Sequence, residues 1–335
     1  MAQAAGDGET ASSPQAWLDL AQAREGRLQH GDALLAYYRA IIEAQRMGRW
    51  LDAATTPPEL LGRVTYAMRY VKAGRRRYFA HALDPLFHRH GREALARFEE
   101  CLAIQVGDRA AAPPDPRQRP SILYFPGLPS EPYFQQSLFP WLAEFERHAG
   151  AIREELLAVM PQGERSERVF ASDAAENLGL AGGDGAPTWK GFYFWRHGQR
   201  RDENHAACPR TSAALEALPM VRIPGQAPEV MFSVLEPGTH ILPHRGVTNT
   251  RVVCHLPLLV PEDCALVVGG EKHAWREGEA VAFDDTYEHE AWNRGARTRV
   301  VLIADVWNPH LSAAECEAVA ALAAAMREFN QAAGI

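Results

Sequence analysis

Between residues 231 and 307 the chain is a succession of short apolar runs, and no segment of helical periodicity lies between them. The runs 231–237, 251–260, 265–269, 279–284 and 299–307 are rich in Val, Ile, Leu and Phe, and Gly, Pro, Asn and Asp divide them. A parallel βαβ sheet needs a crossover helix between its strands, so this pattern disfavours one and predicts the wall of a β-barrel. Strand periodicity of two then sorts the faces. Arg299 shares one face with Val301 and Ile303, and His255 shares one with Val253.

Two histidines stand in this region in similar settings, His244 in Leu-Pro-His-Arg-Gly and His289 in Asp-Asp-Thr-Tyr-Glu-His-Glu, 45 residues apart. Two imidazoles with a carboxylate on one face form the set by which mononuclear non-haem Fe(II) sites are held. Here the position two residues after the first histidine, where the acid usually stands, is Gly246. The candidate metal site therefore rests on His244 and His289 alone, and Gly246 is the residue to explain. A lone histidine among strands is more often structural; it is the paired motif that carries the metal reading. Arg299 on an apolar strand face needs an anionic partner, because an unpaired buried charge is costly. A carboxylate of 2-oxoglutarate supplies one through a two-pronged contact that lysine does not reproduce. Asp284 and Asp285 read as a turn that ends a strand, and Trp275, Trp292 and Trp307 as core or rim aromatics.

Taken together, FSVLEPGTHILPHRGVTNTRVVCHLPLL from Phe232, W-x-E-G-E from Trp275, FDDTYEHEAWN from Phe283 and RVVLIADVWNPHL from Arg299 resemble the aspartyl/asparaginyl β-hydroxylase family of Fe(II)/2-oxoglutarate oxygenases. Weaker echoes, Phe192-Tyr193-Phe194 and Cys208-Pro209-Arg210-Thr211, extend the resemblance back to about residue 120. It implies an α+β chain whose C-terminal part is a double-stranded β-helix, or jelly-roll barrel. It also implies a metal site without the carboxylate: His244 and His289 as iron ligands, with water at the position that Gly246 leaves. Arg299 and Ser233 match positions that hold the distal carboxylate of 2-oxoglutarate, and His255 a position near its chelating end. Dioxygen is the second co-substrate. The implied reaction is hydroxylation of an unactivated carbon, foremost the β-carbon of an aspartate- or asparagine-like residue in a peptide, protein or small molecule bearing a carboxylate or amide.

One departure bears on the substrate. Some members acting on protein aspartate or asparagine carry Arg-x-Arg where this chain has Arg251-Val252-Val253. Arg251 stays a candidate substrate contact, or equally pairs with Glu or Asp on the barrel rim, and loss of the second arginine favours a small-molecule or lipid hydroxylase as the alternative. The same residues also leave room for a halogenase, in which chloride fills the vacant ligand position, and for a non-enzymatic binding module with a vestigial barrel.

The rest of the chain sets the frame. A net charge of −7, with Arg75-Arg76-Arg77 as the one basic run, argues against a nucleic-acid-binding face; the run reads as a solvated helix end. No apolar stretch approaches the ~18 residues of a membrane span, and the first fifteen residues lack the features of a secretory leader. Five cysteines without C-x-x-C spacing fit reduced thiols, and a cytoplasmic location is expected. Residues 1–15 read as a disordered tail. Residues 16–106 read as helical, since Leu34, Tyr37, Tyr38, Ile41 and Ile42, and again Leu60, Leu61, Val64, Met68 and Val71, recur at helical spacing. The stretch 21–40 loosely resembles a tetratricopeptide unit, so this part is a helical bundle or a degenerate repeat module suited to a protein partner. Residues 107–120, with four prolines, read as a linker, and 121–335 as the oxygenase domain. Within it, 141–160 is expected to be helical and to brace the barrel, and 173–187 to be a flexible loop. Ser312-Ala313-Ala314-Glu315 has the spacing of a capping box that opens a last helix reaching about Asn330.

Overall fold

The computed structural model describes residues 12–160, 166–169, 180–181 and 188–335. Residues 1–11 of the expected tail lie outside these, as does the expected loop 173–187 apart from Leu180–Ala181. The described residues fall into two compact units, one drawn from Met1–Gly91 and Ala321–Ile335 and the other comprising Arg92–Ala320.

In the first unit, Ser13 caps helix α1 (Pro14–Gly26) by accepting a hydrogen bond from the Ala16 N–H, and proline opens the helix. The helix thus begins inside the span expected to be a tail. Helices α2 (His30–Arg46) and α3 (Leu61–His90) follow. Their shared core takes Leu18 and Ala21 from α1, Tyr37 and Ile41 from α2, and Val64 and Val71 from α3, which is the helical spacing seen in the sequence. The crossing of α2 and α3 is close: a Cβ at Gly74 would fall 2.3 Å from a Leu34 methyl carbon. The run Arg75-Arg76-Arg77 lies in the middle of α3 and not at a solvated end. Arg75 lays its guanidinium 5.5 Å from the ring centres of both Tyr38 and Phe79, because a long aliphatic stem can lie over aromatic surface.

The second unit opens with helix α4 (Ala96–Gln105), so the division between units falls within the span 16–106 and not at 107–120. The proline-rich stretch is no free linker, since its polar groups are tied to the barrel. Gln118 is buried with its amide 2.5 Å from Asp284, the Arg119 N–H donates to the Thr286 carbonyl, and Arg117 donates to the Gly269 carbonyl. Composition pointed to a spacer because proline removes donors, yet side chains and the remaining N–H groups anchor the segment.

Helices α5 (Leu142–Arg147) and α6 (Ala149–Val159) precede the strands. The short strands β1 (Glu167–Arg168) and β2 (Leu180–Ala181) come next. They are followed by β3 (Trp189–Arg196), β4 (Gln199–Arg200), and helices α7 (Asp202–Ala207) and α8 (Pro209–Glu216). The barrel proper is β5 (Val230–Leu235), β6 (His240–His244), β7 (Arg251–Leu259), β8 (Cys264–Val268), β9 (Glu271–His273), β10 (Val281–Phe283), β11 (His289–Asn293) and β12 (Arg299–Trp307). One sheet has the order β5-β12-β7-β10 and the other β6-β11-β8-β9, with β1 and β3 extending the first and β2 the second. All pairings are antiparallel and nested: β5 with β12, β6 with β11, β7 with β10, β8 with β9. That is one long hairpin wound into two facing sheets, the double-stranded β-helix.

Both faces of the first sheet are buried, which is why its strands read as nearly continuous apolar runs. Phe232 and Val234 of β5, Cys254 and Leu256 of β7, and Val300 and Leu302 of β12 point outward and are covered by Phe145, Ile152 and Leu156 of α5 and α6, the bracing helices expected over 141–160. Each such buried side chain is worth roughly 1.5–3 kcal/mol relative to exposure. The alternate residues face the second sheet, and with them the barrel interior. The last helix, α9 (Ala313–Ala332), starts with the expected capping box: the Ser312 N–H donates to the Glu315 carboxylate and the Glu315 N–H to Ser312 Oγ. Arg97 pairs with the same carboxylate at 2.6 Å.

Candidate active site

His244 ends β6 and His289 begins β11, and the two are register partners across that antiparallel pair. Their ring centres are 4.0 Å apart, and the register shifts just beyond them, between His289 and Ala291, where a bulge re-aims the strand. His244 Nδ1 lies 2.8 Å from the Leu242 carbonyl oxygen and His289 Nδ1 3.1 Å from that of Tyr287. A carbonyl can only accept, so each Nδ1 carries the hydrogen and each Nε2 presents a lone pair. Burial, with His244 next to it, pushes the pKa of His289 down to about 4, which keeps its imidazole neutral. Two imidazoles whose Nδ1–H groups are held by backbone carbonyls leave both Nε2 atoms for a divalent transition metal. Among the described residues no group of three or more His, Cys, Asp or Glu is placed to share one.

The space beside Gly246 is filled by Asp285. A Cβ at 246 would fall 2.1–2.2 Å from the Asp285 carboxylate atoms, and the Gly246 N–H donates to the Asp285 carbonyl at 2.6 Å. Arg251 holds that carboxylate in place, reaching Asp285 at 2.8 Å with one Nη and Asp305 at 2.7 Å with the other. The second oxygen of Asp285, Oδ1, is buried without a partner. Glycine at 246 is thus a packing requirement of this carboxylate. Gly246→Ala should destabilise the fold by about 1–3 kcal/mol, the usual cost of forced overpacking, and Gly246→Asp by more, since it sets two carboxylates together. Thermal unfolding of both variants checks this; an unchanged midpoint, or turnover improved by Asp, would contradict it.

Three neighbouring strands of the first sheet floor a cavity of about 160 Å³. Met231 and Ser233 come from β5, Arg299, Ile303 and Asp305 from β12, and Arg251, Val253 and His255 from β7, with the histidine pair across from them. Arg299 is 1% exposed and has no carboxylate within ion-pair distance among the described residues. Its Nη1 makes long contacts with Ser233, 3.3 Å to Oγ and 3.4 Å to the carbonyl, its Nε has no partner, and its guanidinium lies 4.9 Å above the Trp275 ring. Burial drives its pKa down to about 10, so it remains a cation at neutral pH. Ser233 Oγ also accepts from Trp189 Nε1 at 2.9 Å. With both lone pairs engaged, the Ser233 hydroxyl hydrogen is left for a ligand. His255 is buried edge-on to Phe283, its Nδ1 has no partner, and burial followed by the Arg299 charge keeps its pKa well below the ordinary value.

The six residues singled out in the sequence, His244, His289, Arg299, Ser233, His255 and Arg251, therefore all line one cavity. Arg251 takes the second of its two expected settings: both Nη groups are engaged by acids of the barrel, Asp285 and Asp305, and are not open to a substrate carboxylate. Asp284 does cap a turn, accepting from the Thr286 N–H and hydroxyl, and burial raises its pKa to about 6. Asp305 and Glu229 escaped the sequence reading, although the period of two that placed Arg299 puts Asp305 on its face, and the same period sets Glu229 with Met231 and Ser233. Trp189, which follows the expected loop 173–187, carried no signal.

Residues 146–309 match the family described as aspartyl/asparaginyl beta-hydroxylase. Over 190 residues the chain is 38% identical to an ornithine lipid ester-linked acyl 2-hydroxylase of Rhizobium tropici, covering 56% of this chain and 64% of that one. It is 33% identical to human aspartyl/asparaginyl beta-hydroxylase over 190 residues, which span 56% of this chain and 24% of the human protein. Human aspartate beta-hydroxylase domain-containing protein 2 is 32% identical over 206 residues, or 60% and 54% of the two chains. The chain thus spans from about a quarter to somewhat under two thirds of these relatives. A Pseudomonas putida prolyl-4-hydroxylase structure aligns with 48% of this chain and 87% of its own at 18% identity and a TM-score of 0.27.

Proposed function

We propose, on the match of residues 146–309 to the aspartyl/asparaginyl β-hydroxylase family and the similarity to its relatives, that the second unit is an Fe(II)/2-oxoglutarate-dependent hydroxylase. The observation that carries this reading is Arg299, a fully buried guanidinium with no carboxylate partner among the described residues, in the same cavity as the paired histidines His244 and His289. The residues fit the groups. His244 and His289 would hold iron, their Nδ1–H groups fixed by backbone carbonyls. Arg299 and the Ser233 hydroxyl would take the distal carboxylate of 2-oxoglutarate, and His255 stands toward its other end. When bound, iron, 2-oxoglutarate and dioxygen supply the oxidising power that places a hydroxyl on an unactivated carbon. The protein contributes binding, orientation and a dry wall.

The lining also bears on the substrate. Arg251 is neutralised by its two aspartates, and Val253, Met231 and Ile303 are apolar, so among the described residues the cavity offers an acidic side chain no free arginine or lysine beyond Arg299. This favours the alternative of a substrate with an apolar chain, in keeping with the similarity to an acyl 2-hydroxylase. A halide beside Gly246 would meet the Asp285 carboxylate, which speaks against halogenation. Among the described residues no helix is long and apolar enough to cross a membrane, and the five cysteines are free thiols; the latter suits a reducing, cytoplasmic setting.

The test is anaerobic reconstitution. The protein should bind about one Fe(II) per chain at a two-histidine site and convert 2-oxoglutarate to succinate once oxygen is admitted. With an N-acyl amino acid and an aspartate-containing peptide offered in parallel, the acyl compound should gain an oxygen atom. No iron-dependent succinate would refute the enzyme reading, and oxygen in the peptide alone would refute the apolar-chain reading.

A further inference from the structure

The cavity is electrically two-ended, and one end still lacks a role. The inward residues of β12 run from Arg299 through Val301 and Ile303 to Asp305, six residues or about 20 Å of strand. Ser233 and Trp189 stand at the Arg299 end, and Glu229, the residue before β5, stands with Asp305 at the other. Arg251 brings no free charge to that end, because Asp285 and Asp305 meet it twice over. Glu290, also on the lining, is taken by His240 at 2.6 Å.

Glu229 is different. Its side-chain partners among the described residues are the backbone N–H of His197 and that residue's Nδ1, 2.9 Å away on an exposed ring that is charged only when protonated. No arginine or lysine among them comes within ion-pair distance of it. Burial pushes its pKa up, and the nearby Asp305 adds to this, while His197 and Arg196 oppose it. The cavity itself is built for a polar ligand: His255 Nδ1 and Arg299 Nε, on side chains more than nine-tenths buried, face it without partners.

Resting on the hydroxylase reading of this cavity, we propose that its substrate carries an ammonium group seated on Glu229, at the end opposite Arg299. The co-substrate anion and the substrate cation then occupy opposite ends of one floor, with Met231, Ile303 and Val253 beneath the apolar stretch between them. An aspartate-like substrate would set its anion against Glu229 and Asp305, so the sign of charge selected is the reverse of the carboxylate expected from the sequence.

Calorimetry on anaerobic protein loaded with Mn(II) and 2-oxoglutarate tests this with three probes of like shape. N-dodecanoyl-lysine methyl ester is cationic, N-dodecanoyl-norleucine methyl ester neutral and the α-methyl ester of N-dodecanoyl-glutamate anionic. The cation should bind about tenfold more tightly than the neutral probe, as for one charge-assisted contact, and the anion most weakly. Glu229→Gln, which keeps an oxygen for the His197 N–H, should bring the first two together, and Glu229→Lys should favour the anion. Wild-type protein that binds 2-oxoglutarate but shows no preference for the cation, or does not bind it, overturns the proposal. A preference that survives Glu229→Gln removes Glu229 from it. Failure to bind 2-oxoglutarate would count instead against the hydroxylase reading.

Discussion

His244→Ala should lose iron binding by about a hundredfold or more and bring iron-dependent succinate formation to background. Removing a ligand should cost more than the 10–100-fold typical of losing a group that merely orients one. The variant is a clean test because His244 is exposed and its ring leaves no void in either apolar core. Anaerobic titration with Fe(II), alongside circular dichroism to show that the barrel is intact, reads the result. Wild-type iron affinity in a folded variant would mean that His244 is not a ligand.

Arg299→Lys should raise the 2-oxoglutarate concentration needed for half-maximal turnover by a factor equivalent to ~2–5 kcal/mol, the range for breaking a buried charge-assisted contact. Lysine keeps a cation and most of the stem, so the loss isolates the planar fork. At a site where burial already lowers the pKa of arginine, an ammonium tends to shed its proton. Binding of 2-oxoglutarate measured by calorimetry on folded variant distinguishes this from a slower chemical step. Unchanged affinity would assign the buried guanidinium to another anion.

Much of the site was legible because a strand repeats every two residues. Once 299–307 was read as a strand, Arg299 had to share a face with Ile303, and the structure adds Asp305 to that face. The histidines were legible from motif context, while their meeting was not: residues 45 apart become register partners only through the pairing of β6 with β11. Arg251 shows where one-dimensional reading stops short, since it left open whether a substrate or acids of the barrel meet this side chain. Its two anions lie 34 and 54 residues away, on separate elements, and nothing local announces them. The linker expectation failed for a related reason, since proline content reports on missing donors whereas Gln118 and Arg117 find acceptors on distant strands.

The nested pairing has a consequence in time. Strand β12 is the last of the barrel in the chain yet lies between β5 and β7, bonded to both. While a ribosome is still adding residues before Trp307, the first sheet has a gap at its centre and two unpaired edges, and Arg299 has no wall to sit in. The histidines can be synthesised, but the cavity they share cannot yet be closed. Metal binding at the proposed site would therefore follow translation of the barrel, and any chain stopped short of Trp307 should present open strand edges to quality control.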